Sequence, residues 1–342
     1  MFILTDLLVL GCINGIMVVG LNLQYGYSGL LNFAFYTYVA VGAYISGVLT
    51  LGPSTTPGVT YIFGANLPWP VALLLGGVAA AILGAVIFSF TVRRLRSDYL
   101  AIVTVAAAFI FWNIINSDVN LFNGANGIFN VPYITGNADL STEQYSLIIL
   151  ALAAVVLAAC VWLSRRIFRS PFGRLLRSIR EDEDIAAAFG RSIWPSQLWM
   201  YIVGCFMGGL AGGIFVFYIT AWSPSAFLPL ESFFLLAALI IGGSGNYWGA
   251  LLGAFIVIEG LNELSRYTPT FGRPELAGSF RALVIGVVLI LILRFRPEGL
   301  LPERWLNWYG RKARKAREAA AARWRPANWT PHREEPSKVG KP

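Results

Sequence analysis

The chain has 342 residues, of which 56% are hydrophobic and 13% are charged. A soluble domain is about 25% charged and about 45–50% apolar. These values, with a mean hydropathy of +0.64, exclude an ordinary soluble domain and predict a polytopic membrane protein. The net charge of +8 does not indicate a nucleic-acid-binding protein, because every lysine lies in the C-terminal tail and most arginines flank apolar runs. That distribution is a topology signal.

Apolar runs of membrane-spanning length recur along the chain. A hydrocarbon core of about 30 Å requires about 20 helical residues. The N-terminus lacks the basic region of a cleavable signal peptide, so we expect the first run to be retained as a span. The predicted fold is all-α and polytopic, with about 8–9 transmembrane helices including a glycine-broken re-entrant pair. The clear spans are 7–23, 29–51, 70–91, 99–116, 145–163, 198–221 and 280–295.

The apolar run over 231–263 does not fit one span. As a single helix it would be roughly 50 Å long, and its middle, GGSGN, should break a helix. Basic clusters on both sides of this region favour the cytoplasmic side, which requires an even number of crossings between them. We therefore expect the run to enter and return, as a re-entrant pair or as two short helices. Non-helical backbone at that depth must face protein or a water-filled cavity.

The composition predicts two parts. Residues 1–296 form a transmembrane domain with a cytoplasmic connection over 164–197, and residues 297–342 form a basic cytoplasmic tail. Tryptophans at 305 and 308 suit the headgroup layer, so we expect the tail to contact the lipids of the inner membrane surface and not nucleic acid.

The charged segment, residues 170–190, is the only long charged helical pattern between apolar runs. Ser170 suits an N-cap, Pro171 suits the first helical position, and Gly190 suits the stop. Its arginines come before its acidic residues, an order that opposes the dipole of one continuous helix. A partner surface or anionic lipid would explain the order, and a loop whose arginines only fix topology is the alternative. The charged residues are Arg174, Arg177, Arg180, Glu181, Asp182, Glu183 and Asp184.

The residues needed for catalysis are missing from the sequence. It contains no GxxxxGK[ST] phosphate loop, its single histidine is His332, and its three cysteines lie inside apolar runs. We therefore expect no catalysis by this chain alone and no cofactor of its own. Polar residues near the predicted helix breaks are candidates for a translocation path, although a helix-packing hydrogen bond explains each equally well. The strongest ionisable candidate is Glu259, for which pairing with Arg266 is the alternative.

Six motifs resemble the integral-membrane permeases of branched-chain amino acid ABC importers, closest to the LivM type. They are GLNLQYGYSGLLNFA (20–34), RRLRSDYLAIVTVA (93–106), NGANGI (123–128), RSPFGRLLRSIREDEDIAAAFG (169–190), SFFLLAALIIGGSGNYWGALLGA (232–254) and RFRPEGLL (294–301). The chain departs from the family at Ala34-Phe35 and at Ala108-Phe109-Ile110, where the family has polar groups. For that reason the resemblance indicates the transporter class more strongly than any one amino acid.

The resemblance implies a bacterial inner-membrane subunit that translocates branched-chain or related small amino acids. Its implied partners are a second homologous permease, two cytoplasmic ABC ATPases that hold ATP and Mg²⁺, and a periplasmic binding protein. The alternative is a self-contained secondary transporter or channel. The residues implied in ATPase coupling are Pro171, Phe172, Gly173, Arg174, Arg177, Arg180, Glu181, Glu183, Ala187 and Gly190. Those suggested for the path are Asn22, Gln24, Asn32, Asn126, Gly243, Ser244, Asn246 and Glu259.

Overall fold

A computed structural model describes residues 2–53, 61–62, 64–92, 97–136, 141–260, 262–263, 275–296 and 298–301. Within those ranges the regular structure is helical, apart from two isolated antiparallel bridges, Tyr61 with Phe122 and Ile128 with Trp222. Of the predicted basic tail, 297–342, only 298–301 are described, and Arg266 and His332 lie outside the described residues.

The helices follow one another in this order. They are α1 (Phe2–Asn22), the π-helix π1 (Leu23–Tyr27), α2 (Phe35–Thr50), α3 (Trp69–Val92), α4 (Ser97–Ser117), α5 (Val119–Phe122), a 3₁₀ turn (Gly124–Asn126), α6 (Thr142–Arg169), α7 (Pro171–Glu181), α8 (Glu183–Ala188), α9 (Ile193–Ile219), a 3₁₀ turn (Pro224–Phe227), α10 (Pro229–Gly242), α11 (Tyr247–Gly253), the π-helix π2 (Ala254–Gly260) and α12 (Glu275–Phe295).

The helix lengths confirm an all-α polytopic membrane protein. Six helices of the described chain are long and apolar enough to cross a membrane, and three shorter apolar helices accompany them. The predicted bounds of the first two spans, 7–23 and 29–51, need correction. Helix α1 continues past residue 23 as π1, and the second span begins at Phe35 and not at residue 29.

Helix α9 lies at the centre of the bundle, against α1, α2 and α3. The most apolar stretch of α9 is 67% buried, whereas those of α4 and α6 are 22% buried. Glycines permit this close packing, because a Cβ at Gly42 would meet the backbone of Gly209 and one at Gly212 would meet the carbonyl of Val39. Small residues at helix contacts let backbones approach in this way.

The break predicted within 231–263 is confirmed. Helix α10 ends at Gly242, and α11 begins at Tyr247. The close approaches of Gly242 to Gly249 and of Ala238 to Gly253 show that the two helices run antiparallel. The run therefore forms two short helices, joined by a loop in which Gly243 and Gly245 have φ values of +117° and +82°.

Candidate functional site

The charged segment begins as a helix where the sequence predicts it, with Ser170 as the N-cap. The Ser170 hydroxyl oxygen accepts a hydrogen bond of 3.1 Å from the Gly173 N–H, and Pro171 occupies the first turn. A Cβ at Gly173 would meet the carbonyls of Ile167 and Phe168, so α6 and α7 turn closely on each other. On the inner face of α7, Leu176 is fully buried.

The charged segment is two helices, which corrects the prediction of one. Asp182 is extended, with φ −160° and ψ 111°, and its carboxylate accepts a 2.9 Å bond from the Ile185 N–H. Glu183 and Asp184 therefore lie in the first turn of α8, and Arg180 lies in the last turn of α7. Acids near a helix N-terminus and bases near a C-terminus are stabilised by the dipole. The order of Arg180, Glu183 and Asp184 thus agrees with the two dipoles, whereas Glu181, the last residue of α7, opposes the dipole of its own helix.

The outer face of α8 is apolar and exposed. Ile185 is 56% exposed and Phe189 is 80% exposed. Gly190, with φ +72°, ends the segment, and its N–H donates to the Ala187 carbonyl at 2.8 Å. An exposed apolar patch rimmed by charged residues marks a contact site for another protein or a membrane. We call Ile185 and Phe189 the α8 patch.

Three of the predicted coupling residues point into the protein instead. The Glu183 carboxylate accepts a 2.9 Å bond from the Gln197 amide, which joins α8 to α9. Arg177 donates to the Gly173 carbonyl at 3.2 Å and lies over the Phe168 ring. Arg180 donates from Nη1 to the Gly26 carbonyl in π1. These side chains fix the charged segment on the bundle.

A buried amide network holds the first helix break, residues 28–34. The Gln24 amide nitrogen donates to the Tyr201 carbonyl at 3.0 Å, and its oxygen accepts from the Asn32 amide at 2.7 Å. The Asn32 oxygen in turn accepts from the Ala34 N–H at 2.9 Å. Both side chains are fully buried. Buried polar groups bonded on several sides specify one backbone arrangement.

Two hydroxyls that the sequence did not single out complete this break. Thr104 of α4 accepts from the Phe33 N–H at 3.2 Å, and Ser232 of α10 accepts from the Tyr36 N–H at 3.0 Å. They satisfy backbone donors at the start of α2, which has no preceding turn to bond. The only signal for them in the sequence was a hydroxyl inside an apolar helix.

The glycine loop, residues 243–246 between α10 and α11, lies at the same end of the bundle as the first helix break. The Asn22 side-chain oxygen accepts from the Gly245 N–H at 2.9 Å. The closing motif caps α10, because the Leu300 N–H donates to Ile241 at 2.9 Å and the Leu301 N–H donates to Gly242 at 3.0 Å. Four sequence motifs therefore meet here: the first broken-helix motif, the charged segment, the glycine loop and the closing motif.

The protein-family comparison decides the identity of the chain. The family model described as branched-chain amino acid transport system, permease component, matches residues 3–293. The chain belongs to this permease family.

Named relatives agree with the family match. The permease is 30% identical to the probable branched-chain amino acid transport permease protein LivM of Methanocaldococcus jannaschii, over 84% of this chain and 90% of the relative. It is 28% identical to the high-affinity branched-chain amino acid transport system permease protein LivM of Escherichia coli K12, over 87% of this chain and 69% of the relative. It is 26% identical to the M. jannaschii protein LivH, over 85% and 89%. No solved structure matches the chain.

Family membership supports a transport permease and not an enzyme, and it favours this reading over a self-contained secondary transporter. Across the described ranges no group of three His, Cys, Asp or Glu side chains lies together in a way that would hold a metal ion.

The permease brings most of the suggested path residues together. Asn22, Gln24 and Asn32 are buried and bonded as above, and Asn246 donates to the Leu301 carbonyl at 3.3 Å. Gly243 and Ser244 lie in the same loop. Their bonds build the helix breaks, so a role in the path stays a prediction for all six.

The other two suggested path residues lie elsewhere. Asn126 is exposed in the 3₁₀ turn after α5. Glu259 is 2% exposed in π2, and its carboxylate accepts a hydrogen bond from the Asn14 amide of α1. The bond from Asn14 gives this buried carboxylate a partner within the bundle, as a charged group at membrane depth requires.

Proposed function

We propose that this permease is the membrane-embedded subunit of an ATP-driven importer of branched-chain or related small amino acids. The names of its LivM and LivH relatives support the substrate class. Similarity to both LivM and LivH proteins supports pairing with a second homologous permease. Two cytoplasmic ATPases would hold ATP and Mg²⁺, and a periplasmic binding protein would deliver the substrate.

The observation that carries this proposal is the α8 patch. It lies at α8, the second of two short helices between the long apolar helices α6 and α9, and its phenylalanine, Phe189, is 80% exposed. Phenylalanine is among the residue types enriched in protein–protein interfaces. The permease has no phosphate loop of its own, so a separate ATPase that docks on this patch would supply the hydrolysis.

Docking of an ATPase on the α8 patch also predicts which side of the membrane each segment faces. Docking of an ATPase places the charged segment in the cytoplasm, and the positive-inside rule places the basic tail on that side too. In a bacterial cell this corresponds to the inner membrane, with the C-terminus inside and the tail near anionic lipids.

In this mechanism the permease supplies the translocation path and the charged segment that the ATPases displace. ATP binding draws the two ATPases together and displaces the charged segment. The hydrogen bond between Glu183 and Gln197 joins that displacement to α9, and the close turn at Gly173 joins it to α6. Both are long apolar helices, so their shift exchanges access between the two sides of the membrane.

The test is Phe189→Ser, with Phe90→Ser as the matched control. Phe90 lies near the end of α3 and is 79% exposed, against 80% for Phe189, so both changes remove an equally exposed ring. We expect Phe189→Ser to lower ATPase co-purification and leucine uptake about tenfold or more, the loss typical of a docking hot spot. Phe90→Ser should leave both near wild type. Equal co-purification with wild type and both variants contradicts the assignment of the patch.

A further inference from the structure

The structure carries a direct link between the charged segment and the transmembrane backbone. Arg180 lies in the last turn of α7 and is partly buried. Its guanidinium donates to the Gly26 carbonyl, and its aliphatic stem lies over Gly29, where a Cβ would come within 3.2 Å of the Arg180 Cγ. An arginine bond to a carbonyl is charge-assisted and stronger than a neutral one.

The carbonyl that Arg180 holds lies in a helix of unusual geometry. Gly26 is in π1, and single-turn π-helices are frequent at functional sites. There is no space for a side chain at Gly26, because a Cβ would meet the Asn22 amide and the Gly245 backbone nitrogen. Because Gly26 lies directly against Asn22 and Gly245, movement of Arg180 is transmitted to both residues.

The contact continues into the glycine loop. Asn22 accepts from the Gly245 N–H at 2.9 Å, and the loop connects α10 to α11. The Asn22 amide nitrogen is buried and has no hydrogen-bond partner among the described residues. A buried donor without a partner destabilises the arrangement that holds it.

We propose that Arg180 is a positioning residue that transmits movement of the charged segment, through Gly26 and Asn22, to the α10–α11 hairpin. It acts inward on the bundle and does not form part of the ATPase-docking surface. The inference rests on the proposed function, since the movement originates in the ATPases. It assigns the α10–α11 hairpin as the element that the coupling step repositions.

The experiment uses the complete importer, reconstituted in proteoliposomes with its ATPases and binding protein. Arg180→Met keeps the aliphatic stem over Gly29 and removes the donors, and Arg180→Lys restores one charged donor. Arg165→Met is the control, an exposed arginine on α6 to which the proposal gives no role. The readouts are the amount of ATPase that co-purifies and the substrate imported per ATP hydrolysed.

We expect Arg180→Met to bind the ATPases as wild type does and to import about tenfold less substrate per ATP, within the usual range of coupling free energies. Arg180→Lys should recover to within about threefold, and Arg165→Met should match wild type. A wild-type ratio for Arg180→Met overturns the inference, as does loss of the ATPases from that variant, which would make Arg180 a docking residue.

Two further outcomes can be distinguished from a failure of the inference itself. If no ATPase co-purifies with the wild-type permease, the proposed function fails, whatever the role of Arg180. If Arg180→Met does not fold, Asn22→Ser tests the next bond of the same route by shortening the side chain that accepts from Gly245. We expect the same loss of substrate per ATP, and a wild-type ratio overturns the inference.

Discussion

Two of the helix breaks in the described part of the chain are built on the same chemistry in different surroundings. At residues 28–34 the freed backbone donors bond to the side chains of Asn32, Thr104 and Ser232. At Asp182 the freed donor is the Ile185 N–H, three residues away, and its acceptor is exposed. The first break depends on two other helices, α4 and α10, as well as on its own Asn32, whereas the second is made entirely by its own residues.

The two breaks should therefore respond differently to the loss of a hydrogen-bond partner. Inside the bundle an unpaired backbone group has no water to bond, so the buried break holds only while every partner is present. At the exposed break water replaces a lost partner at small cost. The buried break should therefore control folding of the whole bundle, and the exposed break only the shape of the charged segment.

The largest expected effect is that of Gln24→Leu in the buried break. The change leaves the Asn32 amide without its acceptor and removes the side-chain hydrogen bond to the Tyr201 carbonyl, and an unpaired buried group costs about 1–3 kcal/mol. We expect the unfolding free energy in detergent to fall by about 3 kcal/mol. Asn113→Leu is the control, because Asn113 is exposed and bonds only to its own helix at Phe109. Similar losses of unfolding free energy in both variants would show that the buried break has no special role in stability.

The sequence predicted the spans and the glycine break because both depend on local composition. Hydropathy located every long helix, and the positive φ values of Gly243 and Gly245 match a break that GGSGN predicts. The start of α2 was not predictable, because Phe35 begins the helix only where Thr104 and Ser232 are brought to its backbone. Those contacts join residues 71 and 196 positions apart.

The charged segment shows the opposite case, a local signal that was missed. Asp182 is a good N-cap residue, but it lies among four consecutive acidic residues, and the helical pattern of the whole run predicts one helix. The inward direction of Arg180 had no sequence signal at all. Its partner, Gly26, lies 154 positions away and bonds through a backbone carbonyl, which any residue type provides.

A smaller loss should follow Gly29→Ala, with Gly190→Ala as its matched control. The two glycines have nearly equal φ values, +75° and +72°, but Gly29 lies against Arg180 and Gly190 has nothing within 4 Å. The left-handed backbone alone costs an alanine roughly 1–2 kcal/mol at either site. We expect Gly29→Ala to be more destabilising by about 1 kcal/mol, because its Cβ also compresses the arginine stem. Thermal unfolding of the two variants measures the difference, and equal midpoints would show that the contact carries no stability.

The smallest effect is expected at the exposed break. Asp182→Ala removes the cap of α8 at a cost of about 1 kcal/mol, and Asp182→Asn keeps an oxygen in the same place. Because α8 has only six residues, the loss should be confined to it. Hydrogen exchange of residues 183–188 should quicken about fivefold in Asp182→Ala, the factor that corresponds to about 1 kcal/mol. It should stay near wild type in Asp182→Asn. Exchange in α9 should not change in either variant. Faster exchange in α9 would mean that the exposed break also supports the bundle, through Glu183 and its bond to Gln197, and the two breaks would then differ in degree and not in kind.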